Sequence, residues 1–120
     1  MNKLKTSEMT GAALDWAVAK CEGVNEEAFR LYYTPTEPSD LDTNGYPEFH
    51  YSTIWAQGGP IIERERISVV SDFHEIEESW LAENYQGNIQ QFGPTPLIAA
   101  MRCYVMSRFG DEIEIPQELF

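Results

Sequence analysis

Residues 95–110 constrain the fold more than any other segment, because they carry the signals of a complete helix. Thr95 is a preferred N-cap residue, Pro96 suits the first helical position, and Gly110 lies where a left-handed C-cap belongs. The apolar residues between them form a broad face: Leu97, Ile98, Met101, Tyr104, Val105 and Phe109. Small residues occupy the other side. We therefore predict a central helix that a sheet or a second helix covers.

A second main helix is predicted near the start of the chain. Its apolar residues recur at helical spacing: Ala13, Leu14, Ala17, Val18 and Cys21. Thr10 or Ser7 can cap this helix, and Gly23 can end it. Residues 28–33 are also apolar, but their pattern fits either a strand or the end of a short helix.

Short apolar or alternating patterns predict strands at residues 2–5, 48–55, 67–70, 80–85 and 112–115. In this prediction Gly58, Gly59 and Pro60 end the second strand, and Pro116 stops the last one. Residues 60–66 fit either a short helix or a strand. The predicted fold class is α+β, with two main helices packed on a small, largely antiparallel sheet.

Length and charge limit the classes of function. A chain of 120 residues predicts a single domain, residues 1–120, with a loop rich in proline and acidic residues near 34–47. Eight basic residues against 20 acidic ones give a net charge of −12, so direct binding to nucleic acid or to an anionic membrane is disfavoured. The absence of a secretory signal or an apolar span predicts a cytoplasmic protein with free thiols at Cys21 and Cys103.

A ligand-binding cleft is one hypothesis for the residues whose side chains could take part in binding or chemistry. Its candidate members combine glycine, aromatic and charged side chains: Trp55, Gly58, Gly59, Glu63, Arg64, Thr95 and Arg102. Arg102 lies on an otherwise apolar helix, so its guanidinium must reach solvent or the cleft, or pair with a carboxylate such as Asp15 or Glu63. For Gly58 and Gly59 a plain turn is the alternative, and for Arg64 a solvated helix face.

Trp16 and the two histidines also allow a functional and a purely structural interpretation. Trp16 lies off the apolar stripe of the first helix, which is compatible with either a subunit interface or a second core layer. His50 and His74, with Glu77 and Glu78, are too few to define a metal site in so acidic a chain. No cofactor is implied, and no Ser-His-Asp or Cys-His motif supports a nucleophilic enzyme.

Three long blocks resemble the NinX family of lambdoid phages and prophages, in the same order along the chain. They are KTSEMTGAALDWAVAK at residues 5–20, WAQGGPIIERE at 55–65 and GPTPLIAAMR at 93–102, which trails into GDE at 110–112. The resemblance implies an accessory protein made in the bacterial cytoplasm during phage growth. It implies no reaction and supplies no catalytic residues.

Three hypotheses of function follow from these observations. The first is a non-enzymatic accessory protein that contacts a host or phage protein, with a homo-oligomer also compatible. The second is a small-molecule binder or minor enzyme that uses the cleft to hold a nucleotide or metabolite. The third is a DNA mimic that inhibits a host nucleic-acid-binding protein, which requires carboxylates spaced like phosphates along one face.

Overall fold

The computed structural model describes residues 2–25, 49–71 and 80–119, with the side chain of Glu118 excepted. The helices of these residues are α1 (Gly11–Cys21), α2 (Trp55–Glu65) and α3 (Pro96–Phe109), with 3-10 turns at Thr6–Glu8 and Gln117–Leu119. The strands are β1 (Asn2–Lys5), β2 (Ser68–Ser71), β3 (Trp80–Glu83), β4 (Gln90–Gly93) and β5 (Glu112–Ile115). The α+β fold class is confirmed.

The strands form two antiparallel sheets. β1 pairs with β5, so that Leu4 lies opposite Ile113. β3 lies between β2 and β4 in the other sheet, where Leu81 is opposite both Val70 and Phe92. The antiparallel arrangement agrees with the prediction, but the strands are divided between two sheets.

α3 is the central element of the core, as its pattern predicts. Every residue from Leu97 to Val105 is buried, and the helix packs against both sheets and against α1 and α2. The Thr95 hydroxyl accepts a hydrogen bond from the Ile98 amide at 3.1 Å, and Gly110 has φ +84°. Local capping and tertiary burial thus define the same helix.

The predicted strand at residues 48–55 is wrong where the structure describes it. The carbonyl of His50 accepts hydrogen bonds from the amides of Thr53 and Ile54 at 3.3 and 2.9 Å, which closes a turn, and α2 begins at Trp55. Gly58 and Gly59 therefore lie inside a helix, and the choice left open at residues 60–66 is resolved as helix. Arg66, with φ +56°, ends it in the left-handed region.

Other differences are smaller. Strands β1, β2, β3 and β5 confirm the predicted patterns, whereas β4 was not predicted because its two glutamines are polar. Cys21 and Cys103 are free thiols, as expected. The predictions at residues 28–33 and 34–47 and at His74, Glu77 and Glu78 lie outside the described residues. None of the helices in the described ranges is long and apolar enough to span a membrane.

Candidate functional site

A pocket of about 200 Å³ lies where α2 and α3 begin. It is lined by Ser52, Thr53, Trp55, Thr95, Leu97 and Ile98. The indole of Trp55 is the prominent feature of the rim, because 55% of this residue is exposed to solvent. The opposite wall is the capped first turn of α3. We call this feature the Trp55 pocket.

Gly58 lets the first turns of the two helices approach closely. A Cβ atom at this position would lie 2.6 Å from Cδ1 of Leu97 and would collide with the carbonyl oxygen of Tyr51. Any larger residue would push α2 away from α3. Gly58 therefore shapes the Trp55 pocket from behind without lining it, whereas a Cβ at Gly59 would meet only the Trp55 ring at an ordinary 3.7 Å.

A buried polar cluster supports the pocket from inside. The carboxylate of Asp15, on α1, accepts a hydrogen bond from the Ser52 amide at 2.9 Å and lies 3.9 Å from Nδ1 of His50. Only 1% of Asp15 is exposed. This burial raises the pKa of Asp15 to about 7, although its interactions with Ser52 lower it. The His50 amide donates to Gln57 on α2 at 2.6 Å, so the cluster joins α1, the turn and α2.

The electrostatics of the Trp55 pocket contrast with the rest of this acidic chain. None of the six lining residues is charged. Neither α2 nor α3 has an acidic residue in its first turn, and Ile54, the N-cap of α2, makes no capping bond through its side chain. The partial positive charges at these two helix ends are therefore not offset by acidic side chains of their own first turns.

The comparison with protein families is decisive for identity. The family model described as "Bacteriophage P22, NinX" matches residues 5–108. The chain belongs to the NinX family. Among curated proteins, none matches it. The matched segment of the NinX domain includes both walls of the Trp55 pocket and the whole Asp15 cluster, so this site is built from residues of the family domain.

The cleft predicted from the sequence is assembled only in part in this NinX domain. Trp55 and Thr95 line the Trp55 pocket, and Gly58 and Gly59 lie next to it. Ser52 and Thr53 were missed, because nothing in their local pattern distinguishes them from other small polar residues. Glu63 is exposed near the other end of α2. Among the described residues, no group of three His, Cys, Asp or Glu side chains is placed to bind a metal ion.

Arg64 belongs to an ion-pair cluster at the opposite ends of the helices. Its Nη2 donates to Glu22 at 2.7 Å and to the Tyr104 hydroxyl at 3.1 Å, while the Tyr104 hydroxyl itself donates to Glu22. Arg108 pairs with Glu65 at 3.1 Å, and both guanidinium groups lie against the Tyr104 ring. Burial raises the pKa of Glu22, but the hydrogen bonds from Arg64 and Tyr104 outweigh this effect and hold the pKa below its ordinary value. The cluster fastens the C-terminal ends of the three helices together.

Replacing Tyr104 with phenylalanine tests this fastening. The ring stays buried, but the bonds of its hydroxyl to Glu22 and Arg64 are lost. We expect the free energy of unfolding to fall by about 1–2 kcal/mol, since these bonds involve charged groups but lie near solvent. Urea denaturation of Tyr104→Phe measures this, with Tyr85→Phe, a change at an exposed ring, as the control. Equal stability of both variants and the parent would contradict a stabilising cluster.

Arg102 and Trp16, two further candidate residues, are both buried inside the protein. Arg102 is only 3% exposed, and its guanidinium donates to the carbonyls of Met9 at 2.7 Å and Phe92 at 2.8 Å. These bonds tie α3 to the segment before α1 and to β4, away from the Trp55 pocket. Trp16 is 3% exposed and belongs to the hydrophobic core, so its position fits the core alternative.

Proposed function

We propose that this phage accessory protein is non-enzymatic and binds a host or phage protein through the Trp55 pocket. The observation that carries the proposal is the exposed indole of Trp55 beside an uncharged pocket. Tryptophan is enriched among the residues that contribute most to protein interfaces, because a large rigid ring buries much apolar area at a small entropic cost. An isolated domain gains nothing from keeping this ring in water.

The size of the pocket favours a protein partner over a free metabolite. Pockets for drug-sized ligands have volumes of about 300–1,000 Å³, whereas the Trp55 pocket has about 200 Å³. A space of this size accommodates one side chain or a chain end of a partner. The rest of the binding energy would come from contacts around the rim.

The buried polar cluster has the properties of an anchor. Asp15, His50 and Ser52 are 1, 5 and 1% exposed. Asp15 accepts the main-chain bond that fixes the turn before α2. Groups so enclosed hold the pocket wall in place, which supports a binding role rather than a hydrolytic one.

The described ion pairs also favour protein contacts over DNA mimicry. A mimic presents carboxylates as a row of negative charges, but Glu22 and Glu65 are paired with Arg64 and Arg108. Pairing removes charge from the surface that a mimic would use.

Site-specific photo-crosslinking tests the proposal in bacterial host cells during phage growth. A benzophenone side chain is introduced at Thr53, which lines the pocket and is exposed, or at Tyr85, an exposed position away from it. We expect one discrete adduct of fixed mass from position 53 and none of that mass from position 85. Trp55→Ala should weaken the adduct, because removing a central aromatic residue typically raises the dissociation constant about 30-fold or more.

Phe109→Ala is the matched control for Trp55→Ala, because Phe109 is also a partly exposed aromatic residue, at the far end of α3. It should leave the adduct unchanged. Adducts that are equal at positions 53 and 85, or unaffected by Trp55→Ala, would overturn the proposal.

A further inference from the structure

We propose that the outer face of the three-stranded sheet binds an amphipathic helix of a partner protein, with apolar residues along one side and basic residues beside them. This surface goes beyond the proposed function, because it shares no residue with the Trp55 pocket. Its centre is a row of three apolar side chains, one from each strand: Val70, Leu81 and Phe92. We call this feature the apolar row.

The register of the sheet places the apolar row on the side that faces away from α3. Leu81 lies opposite both Val70 and Phe92, and side chains paired in this way are neighbours on one face of a sheet. Gln91, next to Phe92, points to the other face, where its side chain donates a hydrogen bond to Met106 of α3. Val70 is 54% exposed and Phe92 is 39% exposed. Single exposed apolar residues are common, but three in register form a continuous strip.

The spacing of the apolar row matches one side of a helix. Neighbouring strands lie about 4.8 Å apart, so the row spans about 10 Å from its first to its third side chain. Helical segments that bind apolar surfaces present apolar residues at positions i, i+3 or i+4, and i+7, which span about 10.5 Å along the axis. A helix that crosses the three strands therefore contacts all three side chains with successive residues of its apolar side.

The charge near the apolar row favours basic residues on the bound helix. Glu83 lies two residues after Leu81 on the same face, and its carboxylate accepts a hydrogen bond from the Gln90 side chain at 2.7 Å. The sequence has no lysine or arginine from Ile67 to Met101, whereas the same stretch has five acidic residues. No basic side chain of this stretch can therefore offset the negative charge.

Four of those five acidic residues are joined by short chain connections to the end of the apolar row. The chain leaves the sheet at Ser71 and returns at Trp80, which pair with each other next to Val70 and Leu81. Each of the four is at most four residues from Ser71 or Trp80, which is about 14 Å of fully extended chain. A basic helix is attracted to this surface, whereas a second copy of the chain, with its net charge of −12, is repelled.

Synthetic peptides test the apolar contact and the charge separately. The probe is a helical peptide of about four turns, with leucine along one side and lysine elsewhere. Glutamate replaces lysine in one counterpart, and alanine replaces leucine in the other. We expect the leucine–lysine peptide to shift the NMR amide signals of Val70, Leu81 and Phe92, and to bind at least about ten-fold more tightly than either counterpart.

Phe92→Ala and Phe109→Ala are matched variants, because these aromatic residues are 39% and 38% exposed. Phe109 lies at the end of α3, outside the apolar row. We expect Phe92→Ala to weaken binding of the leucine–lysine peptide at least about five-fold, and Phe109→Ala to leave it unchanged. Val70→Thr keeps a β-branched residue in the strand and should weaken binding without unfolding the sheet. Glu83→Gln removes one charge and should weaken binding about two-fold.

Three outcomes would refute the inference. The first is that either counterpart peptide binds as tightly as the leucine–lysine peptide, including no binding of any. The second is equal weakening by Phe92→Ala and Phe109→Ala. The third is a row that is already covered in the free protein, either by another part of this chain, seen as nuclear Overhauser contacts to the Phe92 ring, or by a second copy, seen as a dimer that Phe92→Ala dissociates. The adduct at position 53 tests the Trp55 pocket separately, so the two proposals fail independently.

Discussion

Replacing Gly58 with alanine is expected to lower the free energy of unfolding by about 2–4 kcal/mol. The new Cβ would collide with the carbonyl oxygen of Tyr51 and lie 2.6 Å from Cδ1 of Leu97. The Leu97 side chain can shift, but the Tyr51 carbonyl is main chain in the tight turn before α2. Separation of α2 from α3 is then the main relief available, and it exposes the core. Urea denaturation followed by circular dichroism measures the loss.

Gly59 provides a matched control on the same helix. Its Cβ would meet only the Trp55 ring, at 3.7 Å, so Gly59→Ala introduces no clash. Alanine is favoured over glycine inside a helix by up to about 1 kcal/mol, so this variant should be neutral or more stable. Opposite effects at adjacent glycines distinguish close packing from helix propensity. Similar losses at both positions would show that the Gly58 contact is not the cause.

The close contact between Gly58 and Leu97 explains why α2 was not predicted from the sequence, whereas α3 was. α3 carries its own cap, its own stop signal and a continuous apolar face, so local rules suffice to define it. α2 contains two glycines and a proline, which favour a turn locally. These residues are compatible with a helix here because Gly58 packs against Leu97, a contact between residues far apart in the sequence. Tertiary packing overrides propensity at this point.

The predicted cleft was only partly correct for the same reason, because contacts between distant residues decide which side chains meet. Arg64 follows Trp55 by nine residues, which in a helix is about two and a half turns and about 13 Å along the axis. The two side chains therefore point to opposite sides of α2, and no cleft can include both. The prediction grouped them because it treated residues 48–60 as a strand and turn. Asp15 and Ser52 meet across 37 positions of sequence, and no local pattern indicates that contact.

Replacing Asp15 with asparagine is expected to make the protein less sensitive to pH between about 4 and 7. The pKa of Asp15 rises from an ordinary 3.8 to about 7 on folding, because burial disfavours the charged form. The folded state therefore holds its proton over a range in which the unfolded state has lost it. This contribution to stability is fully present below pH 4 and is lost as the pH rises through 7. The difference corresponds to a contribution on the order of 4 kcal/mol.

Asparagine keeps an oxygen that can accept the Ser52 amide but carries no charge at any of these pH values. The measured quantity is the difference in unfolding free energy between Asp15→Asn and the parent, from urea denaturation at pH 5 and pH 8. We expect this difference to move in favour of the variant by about 2–4 kcal/mol at pH 8, because only the parent must then bury a carboxylate. Effects of the substitution that do not depend on pH cancel in this comparison, because the same two proteins are measured at both pH values. Glu63→Gln, at an exposed carboxyl, should show no such change, and a pH-independent difference for Asp15→Asn would mean that this buried carboxyl does not titrate near neutrality.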